Sequence, residues 1–413
     1  MEMMKSSNTE WLGDIPAEWD IAQIGNYYEH RNQKVSDYEF MPLSVTMKGI
    51  VPQLATAAKS DDHSNRKLVK KGDFVINSRS DRRGSCGISP LDGSVSLINT
   101  VMEPRGEMNP QYYNWLFHTE QFADEFYKWG HGIVDDLWTT HWQEMKKILI
   151  VAPSLDEQQA IADYLDENCS KIDEIIVEAK ASIDAYKELR IAAVNDAVTH
   201  GIHNKAVKDS NVDWIGKIPD NWKIIITKRL FKIRKEIAGK EGYTVLSITQ
   251  KGIVPKVFGD KGQFAADYSN YQLVNKGDFA MNHMDLLTGW LDISDYDGVT
   301  SPDYRVFVPT GYEDIYAPYY KYVMQNCYSC RIYYGLGHGV AGMGRWRLPA
   351  NMFLNFKLPM PPKAEQKEIA DFLDKRTVEI DSLITEKEAF INDLEAYKKS
   401  LIYEVVTGKR RVV

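Results

Sequence analysis

Three arginines, Arg79, Arg82 and Arg83, lie close together in one short segment of the chain. A guanidinium group can donate two parallel hydrogen bonds, which suits the edge of guanine or a phosphate. Three other segments, at 139–141, 283–285 and 333–347, carry hydrogen-bonding, aromatic or basic side chains. The last of them is rich in glycines, which would let the backbone approach phosphates. Neutral drift of surface loops is the alternative interpretation of the divergent segments, and a loose surface loop is the alternative for the glycine-rich one. The residues predicted to contact DNA are Ser78, Arg79, Arg82, Arg83, Thr139, Thr140, His141, His283, Met284, Asp285, Tyr333, Tyr334, Arg345 and Arg347.

The elements that must position these residues occur twice in the chain. The pattern Trp-x-Gly-x-Ile-Pro-x-x-Trp at 11–19 returns 203 residues later at 214–222. Other repeated segments are Lys-Gly-Asp-Phe at 71–74 and 276–279, and Gly-His-Gly at 130–132 and 337–339. Solenoid repeats have periods of roughly 20 to 50 residues, so this much longer period indicates duplication of a whole domain.

The two copies share the same residues at certain positions, which form a constant frame, and differ in the residues between those positions. Asn77 corresponds to Asn282 and Gly84 to Gly289, but the residues between these pairs differ. A constant frame with divergent loops is what recognition by loops on a rigid scaffold requires. The two copies are therefore expected to recognise different DNA sequences.

Catalytic motifs in the chain are incomplete. The segment 109–112, Asn-Pro-Gln-Tyr, approaches a motif of amino methyltransferases, but its third residue differs and its counterpart begins with Ala317. A helix started by proline is therefore predicted in both copies. Glu144-Met145-Lys146 has no matching partner, and Cys327 and Cys330 form one CxxC pair where a structural zinc site needs two. We therefore expect a binding and assembly protein without a catalytic site or a metal.

Each copy ends in a segment that predicts a long helix. Proline followed by acidic residues at 153–157 and 361–365 suits a helix N-terminus, and the first helix is predicted to span 156–199, roughly 65 Å. Apolar residues recur at intervals of seven, which predicts that the two helices pack as a coiled coil. The order domain, helix, domain, helix lets them run antiparallel, which would place the two domains at opposite ends about a pseudo-twofold axis. The predicted seam consists of Leu165, Ile172, Ala179, Tyr186, Leu373, Ile380, Leu394 and Leu401. A companion stripe is predicted at Ile161, Ile175, Leu189, Ile369, Leu383, Phe390 and Tyr397, and Lys387 interrupts the second seam. A plain dimerisation stalk is the alternative for these helices.

Composition narrows the class of protein. The 413 residues are 44% hydrophobic and 26% charged, as in soluble globular proteins. No secretory signal or long apolar run is evident, so a cytoplasmic protein without membrane contact is expected. The net charge of −8 weighs mildly against nucleic-acid binding, but basic residues cluster between 59 and 83, and phosphates respond to local potential.

Three repeated features resemble the specificity subunits of type I restriction-modification systems, the HsdS family. They are the opening tryptophan motif, the Lys-Gly-Asp-Phe turn, and the entry into each long helix. In that entry, residues 153–166 with Glu157-Gln158 match residues 361–374 with Glu365-Gln366. The resemblance covers essentially the whole chain.

The resemblance implies an α+β fold with two tandem mixed α/β target recognition domains, at 1–152 and 204–360, each followed by a long helix, at 153–203 and 361–413. Each domain would read one half of a bipartite site in double-stranded DNA. The helices would set the unread spacer and dock two methyltransferase subunits, and restriction subunits would join some complexes. S-adenosylmethionine, Mg and ATP would be bound by these partners, which would methylate adenine N6, and this chain would hold no cofactor. Because the chain is acidic overall, we expect weak DNA binding without its partners.

Two interpretations from other classes remain open. A coiled-coil adaptor whose domains bind protein predicts no salt-dependent affinity for DNA. An enzyme with an unrecognised site predicts activity of the purified chain with labelled S-adenosylmethionine.

Overall fold

The computed structural model describes residues 3–56, 63–79, 82–132, 138–256, 268–339 and 346–412. The chain forms two compact units. Unit 1 contains Met1–Lys180 and Glu388–Val413, and unit 2 contains Ala181–Lys387. The division falls within both long helices, so each unit combines one predicted recognition domain with a segment of each helix.

Unit 1 consists mainly of short strands with a few short helices, as the turn-rich sequence predicts. Its strands are β1 Met4–Ser6, β2 Asp14–Pro16, β3 Asp20–Gln23, β4 Tyr28–His30, β5 Lys34–Val35, β6 Leu43–Thr46, β7 Gly49–Pro52, β8 Arg66–Val69, β9 Phe74–Asn77, β10 Cys86–Ile88, β11 Gly93–Ser96, β12 Asn99–Pro104 and β13 Leu149–Ala152. Its helices are α1 Ile24–Tyr27, α2 Pro110–Phe117, α3 Glu120–Lys128, α4 Trp142–Met145 and the first part of α5 Leu155–His200.

Unit 2 repeats most of these elements. Its strands are β14 Val207–Asp209, β15 Lys217–Pro219, β16 Lys223–Ile226, β17 Phe231–Arg234, β18 Leu246–Thr249, β19 Gly252–Pro255, β20 Gln272–Val274, β21 Phe279–Met281, β22 Leu291–Ile293, β23 Gly298–Thr300, β24 Arg305–Pro309 and β25 Lys357–Met360. Its helices are α6 Thr227–Leu230, α7 Ala317–Ser329, α8 Ala350–Asn355 and most of α9 Lys363–Val406, with a 3-10 turn at Tyr334–Leu336. The helices α2 and α7 confirm the predicted proline-started helix in both copies.

A four-stranded antiparallel sheet lies at the centre of each unit. The strand order is β10-β9-β12-β4 in unit 1 and β22-β21-β24-β17 in unit 2. The residues of β9 and β21 are buried, which accounts for the apolar runs 74–76 and 279–281. Aromatic side chains of β4, β9 and α2 pack together, with Phe74 and Phe117 ring centroids 5.1 Å apart, and Phe231, Phe279 and Phe307 pack similarly in unit 2.

The repeated Lys-Gly-Asp-Phe segment is a structural turn that leads into the central strand. Gly72 has a φ of +94° and Gly277 a φ of +92°, values that favour glycine. The Asp73 carboxylate accepts a hydrogen bond from the Lys70 backbone N–H (2.8 Å). It also forms an ion pair with Arg31, the residue that follows β4. Asp278 and Arg234 repeat this ion pair in unit 2. The motif therefore maintains the fold in both copies.

The Glu-Gln doublet at each helix entry ties the long helix to the sheet domain. Gln158 accepts a hydrogen bond from the Asn109 backbone N–H (2.8 Å) and donates to the Pro153 carbonyl (2.9 Å). Gln366 makes the same two bonds, with the Tyr316 N–H (2.8 Å) and the Pro361 carbonyl (2.9 Å). The bonds of these buried amides join the N-termini of two helices in each unit, which explains why the doublet is repeated.

The long helices run antiparallel within each unit. In unit 1, Glu157 pairs with Arg411 (2.7 Å) and Asp173 with Lys398 (2.7 Å), so the residue number rises on one segment as it falls on the other. In unit 2, Arg190 pairs with Asp381 (3.0 Å) and Lys205 with Glu365 (2.9 Å), in the same sense. The predicted coiled coil therefore fits the two helices.

Most main positions of the predicted seam are buried, and most of the predicted companion positions are exposed. Leu165, Ile172, Ala179, Leu373, Ile380 and Leu401 are buried, and Tyr186, Leu394 and Lys387 are half-buried. Of the predicted companions, Ile161 and Ile369 are buried, but Ile175, Leu189, Leu383, Phe390 and Tyr397 are exposed. The buried companions are Cys169, Ile176, Ile183, Thr377 and Ile391, which alternate with the main positions at spacings of four and three residues. Because this second row mixes cysteine and threonine with isoleucine, the apolar pattern of the sequence did not predict it.

Candidate nucleic-acid interface

The predicted DNA-contacting segments of unit 1 are joined by backbone hydrogen bonds. The Thr140 N–H donates to the Ser78 carbonyl (3.0 Å), which links the loop after β9 to the segment before α4. His131 and Thr139 exchange two backbone bonds of 3.0 Å. The Trp138 indole N–H donates to the Tyr127 carbonyl (2.9 Å) and lies against Gly130.

Unit 2 has the same backbone frame. The Leu348 N–H donates to the His283 carbonyl (3.0 Å), and His338 and Arg347 exchange bonds of 2.9 and 3.0 Å. The Trp346 indole N–H donates to the Tyr334 carbonyl (2.7 Å). The side chains of Asn77 and Asn282 cap equivalent turns, accepting from the N–H of Arg79 (3.0 Å) and of Met284 (3.2 Å). The frame inferred from the repeat is therefore confirmed, and equivalent positions carry different side chains.

Four predicted residues of unit 1 line one cavity of about 460 Å³: Ser78, Arg79, Thr139 and His141. The cavity, which we call the unit 1 groove, is also lined by Lys67 from β8 and by His30 from β4. The His30 ring stacks on Trp142, with centroids 5.6 Å apart and an angle of 25° between the rings. Burial and the neighbouring Lys67 lower the pKa of His30. A concave, polar site with basic residues suits an anionic partner.

Two of the predicted contact residues of unit 1 are buried and bonded within the unit. The Ser78 hydroxyl hydrogen-bonds the Thr100 hydroxyl (2.9 Å), and the Thr140 hydroxyl donates to the Phe126 carbonyl (2.7 Å). Ser78 is 5% exposed and Thr140 is 2% exposed. Their side chains therefore hold the frame, and the prediction that they contact DNA does not fit their burial.

The arginines of the first loop differ in their surroundings. Arg79 lines the unit 1 groove. Arg83 is exposed, forms an ion pair with Asp124 and lies over the ring of Tyr127, 5.6 Å from its centroid. Arg82 is also exposed. Of the three, Arg79 is the residue that the structure brings together with the second predicted segment.

Unit 2 places a different set of groups on the same frame. Arg305, in β24, is 5% exposed; its guanidinium donates to the Leu348 carbonyl (2.9 Å) and lies 5.0 Å from the centroid of Phe353. Burial lowers the pKa of Arg305 to about 10. Burial, with Arg305 and Arg347 nearby, lowers the pKa of His283 to about 4. His283 is therefore a neutral imidazole near pH 7, beside two cations.

The remaining predicted residues of unit 2 are separated by the structure. The Asp285 carboxylate accepts from the backbone N–H of Leu287 (2.9 Å) and of Thr288 (3.2 Å), so it stabilises a local turn. Met284 is half-buried. Tyr333 has no exposed surface and packs against Tyr328 and Phe356, with ring centroids 5.5 and 5.1 Å away.

The prediction that Tyr333 contacts DNA is therefore wrong in this conformation. Its neighbour Tyr334 is half-buried beside Trp346 and occupies the position equivalent to Tyr127. Arg345 lies outside the described residues.

Lys67, His30 and Arg305 were missed as site residues in the sequence. They lie within strands, whereas the prediction considered loops. A signal was nevertheless present, because Lys67 corresponds to Gln272 and Arg305 to Thr100 at the offset of 205 residues that relates the flanking motifs. A charge that replaces a neutral residue inside a buried strand is a sign of specialised use.

Other sequence candidates have ordinary surroundings. Cys327 is buried, Cys330 is exposed, and both are free thiols. Across the described ranges, no group of three or more His, Cys, Asp or Glu residues is arranged to hold a metal ion. None of the helices described here is both long and apolar enough to span a membrane.

Comparisons with known proteins agree on one class. A family model described as the type I restriction modification DNA specificity domain matches residues 217–392. The chain is 24% identical to the type I restriction enzyme MjaVIII specificity subunit of Methanocaldococcus jannaschii, over 96% of this chain and 94% of that protein.

Solved structures share the fold. A chain from a structure of a type I R-M system, described by its complex assembly and conformational transition, matches with a TM-score of 0.72 and 12% identity, over 96% of this chain and 99% of its own. The HsdS subunit from Thermoanaerobacter tengcongensis matches with a TM-score of 0.54 and 13% identity, over 98% and 100% of the two chains.

The fold of the chain is thus that of the solved HsdS subunit, and the family model matches residues of its second half. Together with the curated relative, these matches support an HsdS-family specificity subunit of a type I restriction-modification system.

Proposed function

We propose that this chain gives a type I restriction-modification complex its DNA sequence specificity, with each unit reading one half of a bipartite site. The observation that carries the proposal is the common frame with different side chains. Equivalent positions hold Arg79 and Met284, and Thr139 and Arg347. Two readers of one shape and different chemistry suit two half-sites of different sequence.

The long helices suit assembly with two methyltransferase subunits. Each unit carries apolar helix residues that remain exposed: Ile175, Phe390 and Tyr397 in unit 1, and Leu189 and Leu383 in unit 2. They recur at intervals of seven or fourteen residues, so they lie along one stripe of each helix. An apolar stripe of this kind favours burial against a partner helix. The helices would in addition set the length of the unread spacer.

Catalysis in such a complex would belong to the partners. The methyltransferase subunits would bind S-adenosylmethionine and methylate adenine N6, and restriction subunits would use Mg and ATP. This chain would supply recognition and assembly.

The test is a genome-wide map of N6-methyladenine in cells that express the chain with a methyltransferase subunit, compared with cells that lack only this chain. A chain-dependent bipartite motif with a constant unread gap is expected. Arg79→Ala should change one half of the motif and Arg347→Ala the other half, because the residues lie in different units. If both variants altered the same half, the assignment of one half-site to each unit would fail.

An adaptor that binds only protein is the competing function. It predicts that the assembled complex shows no chain-dependent methylation and no salt-dependent DNA affinity. A map without chain-dependent methylation supports the adaptor function only if size-exclusion chromatography shows that the complex assembles.

A further inference from the structure

Lys67 is a cation at the floor of the unit 1 groove with capacity for another ligand. Its ammonium group donates to the Asn99 carbonyl (2.7 Å). An ammonium has three donors, so two are left after this bond. Within the described ranges no carboxylate forms an ion pair with it. Burial lowers the pKa of Lys67, and an anion beside the ammonium would offset this desolvation.

His30 supplies a second polar group at the same floor. Its Nε2 atom is buried and has no hydrogen-bond partner among the described residues. The stacked Trp142 ring fixes the imidazole plane, with the centroids 5.6 Å apart. An unpartnered buried ring nitrogen beside a half-desolvated ammonium is costly in the free protein and suits an oxygen ligand.

The described residues of unit 2 place other side chains at the positions equivalent to this pair. The strand register aligns His30 with Ile233, because these residues oppose Met102 and Phe307 in equivalent strand pairs. It aligns Lys67 with Gln272, which oppose Val95 and Thr300. The Gln272 amide donates to the carbonyls of Ser301 (2.8 Å) and Tyr304 (2.6 Å), so it is satisfied within the unit. The basic floor is therefore a special feature of unit 1.

We propose that Lys67 and His30 form a binding site for a backbone phosphate of DNA in unit 1. The inference rests on the proposed function and adds a positioning contact to it. A phosphate projects from the duplex and fits a cavity of about 460 Å³. An ammonium acts as a point charge for phosphate and fixes register without reading sequence.

The experiment measures the affinity of the assembled methyltransferase complex for the DNA motif that it methylates, as a function of salt concentration. Lys67→Gln, which copies the residue of unit 2, should weaken binding at low salt and reduce the slope of log affinity against log salt by about 1. The methylated motif should stay the same. Lys71→Gln removes an exposed lysine of the same segment that does not line the groove, and it should leave the slope unchanged.

Two further variants separate phosphate binding from folding. Lys67→Arg should restore the slope, since it returns the charge. His30→Phe keeps the stack on Trp142 and removes the ring nitrogens, so it should weaken binding with little change in slope. Thermal unfolding of each variant identifies any loss that comes from misfolding.

Each result has a definite meaning. An unchanged slope in a folded Lys67→Gln complex would overturn the phosphate site and leave the proposed function standing. A changed half-motif would make Lys67 a base reader and likewise overturn it. If the wild-type complex bound DNA without salt dependence, the proposed function would fail together with the site.

Discussion

Gly130 and Gly337 allow a tryptophan to lie directly against the backbone in each unit. A Cβ atom at either position would overlap the indole of Trp138 or of Trp346. The indole N–H of each tryptophan also donates to a backbone carbonyl earlier in the chain, that of Tyr127 in unit 1 and that of Tyr334 in unit 2. These contacts fix the spacing of the loops at the candidate interface. The first glycine of the repeated Gly-His-Gly sequence is thus explained by packing, which leaves the loop side chains free to differ.

Gly337→Ala is expected to destabilise unit 2 by about 1–3 kcal/mol, because the added methyl group overpacks the site against Trp346. Gly335→Ala is the matched control, since a Cβ atom there meets nothing within 4 Å. The measurement is the free energy of unfolding of the two variants in urea. Equal stability of both variants would show that the tryptophan contact does not constrain the loop.

At the scale of elements, the long helices have two rows with separate uses. The buried row of α5 combines Ile172 with Ile176, and the exposed row contains Ile175. Ion pairs between the two helices, such as Asp173 with Lys398, lie beside the buried row and fix the antiparallel direction within each unit. Because these pairs are partly exposed, most of the stability comes from the apolar row.

Ile172→Ala is expected to lower the stability of the free chain by about 2–4 kcal/mol, since Ile172 is 7% exposed. Ile175→Ala changes the same residue type at 42% exposure and should leave the stability of the free chain nearly unchanged. It should instead weaken the binding of a methyltransferase subunit. Thermal unfolding of the free chain and titration with the methyltransferase subunit give the two readouts. A loss of stability in both variants with no loss of binding would contradict a docking role for the exposed row.

At the scale of the whole molecule, the chain uses one architecture twice while its total charge opposes its proposed ligand. The net charge is −8, yet cations are concentrated at the candidate interfaces: Lys67 and Arg79 in unit 1, Arg305 and Arg347 in unit 2. Attraction to DNA would therefore be local, and the rest of the acidic surface would weaken it. This is the physical basis for expecting weak DNA binding by the chain without its partners.

Insertion of one heptad in both helices, after Lys180 and after Lys387, tests whether they act as a ruler. These are the points at which the two units divide. Seven residues add about 10 Å of helix, and one base pair occupies about 3.4 Å, so the unread gap should grow by about three base pairs. Both half-sites should be unchanged in the methylation map.

The same insertion in α5 alone is the control. It breaks the match between the two helices and should prevent assembly. An unchanged gap in an assembled complex with both insertions would contradict the ruler.

The sequence predicted the duplicated α+β fold, the helix starts and the main seam because these depend on local pattern. Pro153 with Glu157 specifies a helix start, and Leu165 with Ile172 specifies a face, through neighbours on the same element. The exposure of Ile175 and the burial of Ile176 depend on which side another helix packs, so the period of seven alone did not distinguish them.

For the candidate site, the sequence by itself determined that two equivalent frames carry different loops, because the fixed points of the repeat are visible without coordinates. Only the tertiary structure decided which side chains line the groove. Tyr333 is buried by Tyr328 and Phe356, whereas Lys67 and His30 reach the floor of the unit 1 groove from two strands of different sheets. These positions are set by contacts between residues far apart in the chain, and residue type and spacing along the sequence do not encode such contacts locally.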